Sequence, residues 1–379
     1  MLAKTALQIL FHEKSRYLGV AVGVAFGLFL LLLQSSFYFG FRRDITVVAD
    51  AFDADLWVSQ RELLAFDYVA HFDDLPLWLV RGDADVTAAT PVIIEWARTW
   101  RARDGATENG QIVGLDFTAG VKVDLGTDTG LDLADLLAVP GNVLVDDKHV
   151  SRLGVGQPSE RGVEIRGLHA NVAGVMRGKK LFTTACLMVT DLDNARRFLG
   201  LPANRISFIA VKCRAGVDVR GVKARLQARM PEQRVWTARE FHDLTQDYWI
   251  RLTGIGPVLL LSAGLAALVG FLTVFLTFSH LTAEKLPVYA AMKAMGASTA
   301  ELGGVVLLQI GVVFGLGCVL AGVGVALALM VLANTTISVV LTPGVALGAT
   351  GFMALCSLAA GARALRKLAA VEPAEAFRT

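Results

Sequence analysis

Residues 174–180 (GVMRGKK) come closest to a chemical motif, because they bring glycines and lysines together as phosphate-binding loops do. A Walker A loop has one more residue between its glycines, and it places the Ser or Thr that ligates Mg²⁺ where Lys180 stands. We interpret this segment as a basic turn without a role in nucleotide binding.

The histidines and carboxylates offer no clearer site. The histidines do not have the spacing of a metal site, and no Gly-x-Ser-x-Gly elbow or pair of catalytic carboxylates can be singled out. The histidines are His12, His71, His149, His169, His242 and His280. The sequence therefore predicts a chain that is not an enzyme and holds no cofactor or metal of its own.

Long uncharged stretches dominate the chain, which has 379 residues, 54% of them hydrophobic, and a mean hydropathy of +0.54. Residues 17–41, 252–283 and 302–362 contain no Asp, Glu, Lys or Arg. Because one transmembrane helix needs about 20 apolar residues, the third stretch is long enough for two. Buried core helices of a soluble protein would explain any single stretch but not all of them. We predict spans at residues 17–40, 254–280, 305–332 and 344–364, the first of them kept as an anchor.

The basic residues of the short segments indicate the orientation. Outside residues 42–251 they are Lys4, Lys14, Arg16, Lys285, Lys293, Arg363, Arg366, Lys367 and Arg378, which all fall on one side of four spans. Residues 1–16, predicted as an amphipathic helix, residues 281–301 and the tail 365–379 are therefore expected in the cytoplasm. Residues 41–253 are expected on the opposite side of the membrane from the cytoplasm. The net charge of +2 gives no indication of nucleic-acid binding.

The region between the first two spans predicts a large α+β domain, in which two βαβ-like halves flank a strand-rich insert near residues 110–200. Cys186 and Cys213, in two of its predicted strands, could form a disulfide outside the cytoplasm. A capping box at Thr237 and Glu240 predicts the start of a helix that leads to the second span.

Apolar residues at helical spacing predict that the first two spans continue out of the bilayer as stalk helices. They are Phe41, Ile45, Val48 and Phe52 after the first span, and Phe241, Leu244, Tyr248, Leu252 and Ile255 before the second. Each row suits a partner helix; the alternative is that each row packs only on its own outer domain.

Small residues predict close helix packing in the membrane. Gly19, Gly23 and Gly27 form one row in the first span, and Gly311 and Gly315 form another in the third. No span carries a charged residue near its centre, which argues against proton- or ion-coupled transport.

The segment between the second and third spans predicts a short interfacial helix, with Pro287 suited to its first turn and Gly296 to its end. An apolar stripe of Leu286, Tyr289, Met292 and Met295 lies beside Lys293. Such a helix either binds a soluble partner, for which a separate ATPase is the natural candidate, or lies flat among the lipid headgroups.

Residues 282–296, above all 289–296 (YAAMKAMG), resemble the coupling-helix signature of the FtsX/MacB-type (type VII) ABC permeases, and in particular their DevC-like branch. The resemblance extends over nearly the whole chain, through residues 2–14, 248–256 and 372–378. It implies a coupling role for Glu284, Lys285, Leu286, Pro287, Tyr289, Met292, Lys293, Met295 and Gly296. Pro287-Val288 replaces the Arg-Glu pair of the signature, so the usual acidic contact is missing at that position, and the resemblance leaves open whether Glu284 replaces it.

The resemblance implies a permease subunit of the bacterial inner membrane, paired with a second permease copy and driven by a cytoplasmic ATPase subunit that holds the ATP and Mg²⁺. It also implies mechanotransmission to the periplasm, a periplasmic adaptor protein, an outer-membrane duct and contact with membrane lipids. Two functions follow: export of a lipid, glycolipid or other amphiphile, or activation of a cell-wall hydrolase by a non-transporting FtsX-like permease.

Overall fold

The computed structural model describes residues 14–68, 70–100, 105, 107–127, 130–155, 162–183, 185–332, 335 and 338–370. The chain separates into two compact units. The helical unit comprises Met1–Gly40, Pro257–Ala333 and Val339–Thr379, and the α+β unit comprises Phe41–Gly256 and Asn334–Ser338. Most of the predicted N-terminal amphipathic helix and the end of the predicted tail lie outside the described residues.

The helices of the described residues differ sharply in length, and four of them are long and apolar enough to cross a membrane. The helices are α1 (Lys14–Thr46), α2 (Leu75–Arg81), α3 (Leu133–Ala138), α4 (Val150–Leu153), α5 (Leu192–Leu199), α6 (Val219–Arg229), α7 (Ala238–Asp247), α8 (Ile255–Ala294), α9 (Thr299–Leu332) and α10 (Pro343–Ala370). The candidate spans lie in α1, α8, α9 and α10.

The strands all belong to the α+β unit. They are β1 (Leu56–Gln60), β2 (Phe72–Asp73), β3 (Val86–Trp100), β4 (Thr107–Leu115), β5 (Asn142–Asp146), β6 (Gly162–Ile165), β7 (Leu168–Met176), β8 (Cys186–Asp191), β9 (Arg205–Ile206), β10 (Phe208–Cys213) and β11 (Gln233–Thr237). All but β2 and β9 form one sheet in the order β11-β1-β10-β3-β4-β8-β5-β7-β6.

The long strand β3 joins the two parts of the α+β unit. Its first half pairs with β10, and its second half pairs with β4 and, at Thr99 and Trp100, with β6. Strands β3, β4, β8, β5, β7 and β6 therefore close into a ring, and one hydrophobic core takes residues from all six. The strand-rich insert thus extends the sheet of the two flanking halves instead of forming a separate layer.

The predicted disulfide between Cys186 and Cys213 is wrong, because both thiols are free. Cys186 lies in the core of the strand ring, and Cys213 lies in a different core under β1 and β10. Their strands are three positions apart in the sheet, which separates them by roughly 14 Å, whereas a disulfide needs Cα atoms within about 7 Å.

The helix that precedes the second span begins as predicted but does not continue unbroken. The Thr237 hydroxyl accepts from the Glu240 amide at 3.2 Å, and the Glu240 carboxylate accepts from the Thr237 amide at 2.8 Å. Helix α7 then passes into a π-helical turn, Tyr248–Leu252, and Gly254 at φ +77° breaks the chain before α8. A residue other than glycine would be strained at that φ.

The apolar rows next to the first two spans pack on their own α+β unit. Ile45 is buried in a cluster with Ala65 and Trp249, and Val48 and Phe241 are buried in the main core. Leu252 is the exception, with 76% of its surface exposed. Apart from Leu252, the rows pack within this chain, as the alternative to the stalk interpretation expects. Pairing of the two rows with partner helices stays a prediction.

Glycines bring the membrane helices together at fewer positions than predicted. A Cβ at Gly27 would lie 2.7 Å from the Gly270 Cα of α8, and a Cβ at Gly23 would lie 3.2 Å from Thr273. Around Gly19, Gly311 and Gly315 a Cβ would meet nothing within 4 Å among the described residues, so their packing against another helix stays a prediction. Gly317 of α9 was not among the predicted packing glycines, yet a Cβ at this position would lie 2.6 Å from the Val24 side chain of α1.

Candidate functional site

The segment between the second and third spans is the end of a long helix and not a separate short one. Helix α8 runs for 40 residues without interruption and includes Pro287, which was predicted to start a new helix. Gly296 does end the helix, with φ +97° and its amide donating to the Lys293 carbonyl at 3.1 Å. Helix α9 follows after a tight turn, and a reciprocal Ser298–Glu301 cap marks its start.

Two residues of the predicted apolar stripe face the interior of the helical unit. Tyr289 is 2% exposed and its hydroxyl donates to the Gln309 side-chain oxygen of α9 at 3.0 Å. Met292 is half-buried against the same core, and Lys285, also predicted to take part in coupling, is 5% exposed. Tyr289 and Lys285 are therefore unavailable for a direct contact with a soluble partner.

The outward face of the segment lies beside the predicted stripe. Its exposed residues include Glu284, Pro287, Val288, Ala291 and Met295, the last with 80% of its surface exposed. Their spacing of three, one, three and four residues places them on one side of a helix. The Glu284 carboxylate lies 3.2 Å from the His280 Nε2, while Leu286 and Lys293 are half-buried. We call these five residues the outward face of α8.

One group of potential metal ligands also comes together in the described part of the α+β unit: Asp146, His149 and Cys186, with ligand atoms within 4.8 Å of one another. The His149 Nδ1 lies 2.8 Å from both Asp146 carboxylate oxygens, which is a hydrogen-bond distance. A tetrahedral zinc ion would hold its nitrogen and oxygen ligands about 3.3 Å apart. The geometry fits a hydrogen-bonded polar core better than a metal site.

This polar core fixes the end of β5. Besides His149, the Asp146 carboxylate accepts from the amides of Lys148 at 3.1 Å and Leu187 at 3.0 Å, which ties the turn after β5 to β8. Burial and the nearby Asp146 charge raise the pKa of the Cys186 thiol well above its ordinary value. Cys186 therefore stays protonated and is not a nucleophile. Because Cys186 is distant from His149 in the sequence, residue spacing did not predict this cluster.

Asp67 is a second buried carboxyl of the α+β unit, and it contacts the π-helical turn. It accepts from the Gln111 side-chain amide at 2.9 Å and from the Trp249 indole N–H at 3.2 Å. Burial raises the pKa of the Asp67 carboxyl, and the two hydrogen bonds only partly offset this. Asp67 thus links β4 of the sheet to the segment that leads into α8.

Comparison with protein families now assigns both parts of the chain. Residues 18–229 match the MacB-like periplasmic core domain, and residues 260–373 match the FtsX-like permease C-terminal domain. The first match alone covers more than half of the chain. The chain belongs to the FtsX/MacB-type ABC permeases. This confirms the predicted family and the predicted fold class of four membrane helices with a large α+β domain after the first; the narrower DevC-like assignment stays a prediction.

Solved structures similar to this permease include one periplasmic region and one extracellular domain. The periplasmic region of MacB from Actinobacillus actinomycetemcomitans is 11% identical and has a TM-score of 0.38, over 52% of this chain and 92% of its own. The extracellular domain of the noncanonic ABC-type transporter YknZ from Gram-positive bacteria is 13% identical with a TM-score of 0.36, over 48% and 99%. A domain of a permease protein from Porphyromonas gingivalis is 13% identical with a TM-score of 0.33, over 49% and 89%. A search of curated proteins found no match.

As an FtsX/MacB-type permease, the chain is a multi-pass membrane subunit of an ABC system whose ATPase belongs to a partner. The outward face of α8 is the candidate site for a contact with this ATPase.

Proposed function

We propose that this chain is the permease subunit of an exporter that moves a lipid, glycolipid or other amphiphile on the periplasmic side of the bacterial inner membrane. Two copies would work with a cytoplasmic ATPase, which holds the ATP and Mg²⁺, and with a periplasmic adaptor protein that leads to an outer-membrane duct. The observation that carries this proposal is the outward face of α8, at the position of the coupling signature.

The chemistry of this face suits docking into a protein cleft. Pro287, Val288, Ala291 and Met295 form an exposed apolar strip, and Glu284 supplies one acidic group at its edge. A flexible methionine adapts to an irregular apolar cleft. Tyr289 and Lys285 support this face from behind, through the core of the helical unit, and do not touch the ATPase in this proposal.

The length of α8 suits the transmission of movement. A helix of 40 residues is about 60 Å long, whereas the hydrocarbon core of a bilayer is about 30 Å thick. Its hydrogen-bonded backbone is continuous from Ile255 to the coupling segment. A displacement of the ATPase-side end would therefore be carried along one rod to the break at Gly254, and from there into the chain of the α+β unit.

Substitution of Met295 tests the docking surface. We expect Met295→Asp to detach the ATPase, because burying an unpaired charge in an interface costs several kcal/mol, on the order of 100-fold or more in affinity. The measurements are co-purification of the ATPase and permease-stimulated ATP turnover. Val139→Asp, at a half-exposed position of the α+β unit, adds the same charge elsewhere and should keep both. Normal ATPase binding by Met295→Asp would exclude this face as the docking site.

Purification in mild detergent tests export itself. We expect the ATPase, an adaptor protein and a bound amphiphile to co-purify with the wild-type chain. Recovery of the ATPase with a cell-wall hydrolase, and without adaptor or amphiphile, would instead indicate the non-transporting FtsX-like function. Both outcomes are read by mass spectrometry of the same sample.

A further inference from the structure

The helical unit contains a cavity of about 500 Å³ between α1, α8 and α10. Its walls are mostly apolar and include Leu31, Phe39, Ala267, Val345 and Phe352, and its polar side chains are the hydroxyls of Ser35 and Thr342. Ligand sites for small molecules have volumes of about 300–1,000 Å³, so the cavity is large enough for a ligand. All of its lining residues belong to the helical unit.

The cavity has the depth of one leaflet of the bilayer. Along α1 its lining runs from Phe39 to Leu31, which is about 12 Å of helix, and from Thr342 to Phe352 it extends about 15 Å. Half of the hydrocarbon core is also about 15 Å thick. The Val340 amide donates to the Ser36 carbonyl at 3.1 Å and holds the start of α10 against the outer end of α1. The cavity therefore extends from the membrane surface, at the end of α1 that leads into the α+β unit, towards the midplane.

Glycines keep this space open. A Cβ at Gly348 would meet no atom of the described chain within 4 Å, and one at Gly344 would meet only the Thr342 hydroxyl oxygen, at 3.9 Å. The neighbouring Val345 and Ala349 are buried in the helical unit. A Cβ at Gly348 would accordingly fit without displacing the walls, and a larger side chain there would occupy part of the cavity.

The surroundings decide which molecule fills the cavity. The cavity is open to the outside of the helical unit, because Thr342, Gly344 and Gly348 in its lining are exposed, and at this depth the surrounding medium is hydrocarbon. The Thr342 hydroxyl accepts from the Val345 amide at 3.3 Å, which leaves its hydrogen as a donor near the membrane surface, where the ester carbonyl of a lipid lies. We propose that this cavity binds one acyl chain of a membrane phospholipid from the leaflet on the α+β side, with Thr342 as donor to its ester oxygen.

This assignment holds for an exporting and for a signalling permease alike. An acyl chain that moves from the bilayer into the cavity was not in contact with water before, so the hydrophobic effect adds no affinity. The affinity would come from van der Waals contacts and from the hydroxyls. Shape therefore matters more than apolar area. Filling the cavity should prevent binding, and a residue of the same size on another side of α10 should not.

Photolabelling tests the proposal on the full-length protein. The probe is a phosphatidylcholine with a diazirine at the end of one acyl chain, present as a minor component of phosphatidylethanolamine–phosphatidylglycerol vesicles. We expect the wild-type chain to be labelled on peptides that contain Ala267 or Phe352, which lie at the deep end of the cavity. Gly348→Trp should lose this label, and Gly351→Trp should keep it.

Gly351 is a matched control because it lies on the same helix, does not line the cavity, and likewise has nothing within 4 Å of a Cβ. Thermal unfolding of each variant in detergent shows whether it is folded, and Gly348→Leu replaces Gly348→Trp if the larger side chain prevents folding. Equal labelling of the Gly348 and Gly351 variants would overturn the proposal. So would disulfide-linked dimers of Gly348→Cys without lipid labelling, since a second copy would then cover the cavity.

Discussion

At the scale of single residues, Asp67 should make the stability of the α+β unit depend on pH. Burial raises the pKa of its carboxyl above the ordinary value of 3.8, so the folded chain holds this proton more tightly than the unfolded chain. The stabilisation that the protonated Asp67 carboxyl contributes is then fully present below its pKa in the unfolded chain. It is lost as the pH rises through its pKa in the folded chain. We expect Asp67→Asn to raise the unfolding temperature at pH 7.5, and the difference from wild type to narrow as the pH falls towards 3.8.

An asparagine can satisfy the hydrogen bonds of this site. The Gln111 Oε1 has no partner among the described residues, so a turned-over Gln111 amide can accept from the introduced asparagine while Trp249 still donates to the asparagine oxygen. Asp67→Leu leaves Gln111 and Trp249 unpaired and should destabilise the chain by about 1–3 kcal/mol for each lost partner. Asp243→Asn, on the exposed surface of α7, is the charge control. A pH-independent effect of Asp67→Asn would contradict the argument.

The cysteines provide a second test at this scale. Because Cys186 and Cys213 lie in different cores, we expect all four thiols to be alkylated when the non-reduced chain is denatured. The mass increase of the intact protein measures the number of modified thiols. An increase for only two thiols would show that a disulfide does form and that the strand ring is misplaced.

At the scale of elements, the crossing of α1 and α8 depends on Gly27. A leucine there would force its Cβ to within 2.7 Å of the Gly270 backbone, so the helices must move apart. We expect Gly27→Leu to cost about 1–3 kcal/mol of stability, as overpacked cores do, and to lower the unfolding temperature in detergent. Gly19→Leu lies on the same helix with open space around it and should leave the unfolding temperature unchanged. Equal effects of the two substitutions would mean that the crossing is not where the structure has it.

The end of α8 allows a sharper test of coupling than removal of Met295. Val288 is 43% exposed on the outward face and stands where the coupling signature has Glu. We expect Val288→Glu to keep or raise permease-stimulated ATP turnover, because it restores an acidic contact one turn from Glu284. Val312→Glu, on a similarly exposed but membrane-embedded face of α9, should impair insertion instead. Loss of ATPase binding by Val288→Glu with normal insertion would show that this permease docks in a different geometry.

Local signals in the sequence predicted elements well where the deciding contacts are also local. The Thr237–Glu240 cap involves residues within one helical turn, and it is present. Pro287 misled the prediction because a proline suits the first turn of a helix, whereas here the helix continues through it. The membrane helix before Pro287 is long, and the loss of one hydrogen bond at Pro287 does not end it.

At the scale of the whole molecule, the side chains that face outward could not be read from spacing alone. Tyr289 is buried in the core of the helical unit, where its hydroxyl donates a hydrogen bond to Gln309 of the next helix. Nothing near Tyr289 in the sequence indicates this partner. Likewise Gly27 contacts another helix of the described chain and Gly311 contacts none there, although both belong to rows of small residues. The strand ring closes where Thr99 of β3 pairs with Ile165 of β6, beyond the reach of any local pattern.

The orientation of the whole chain is a prediction that labelling can decide. The basic residues of the short segments fall on one side of the four spans, so the turn between α8 and α9 should lie in the cytoplasm and the α+β unit outside it. Leu131 is 64% exposed in the α+β unit, and Ala300 is exposed in the first turn of α9, beside the Ser298 cap that it leaves intact. In cells without an outer membrane, Leu131→Cys should react with an impermeant maleimide, and Ala300→Cys should react only after the membrane is permeabilised.

The native cysteines give this labelling little background, because Cys186, Cys213 and Cys356 are buried and Cys318 lies within α9. The unsubstituted chain, treated in the same way, measures what background remains. If only Ala300→Cys reacts before the membrane is permeabilised, the topology is the reverse of the predicted one. The outward face of α8 would then lie outside the cytoplasm, where a cytoplasmic ATPase cannot reach it.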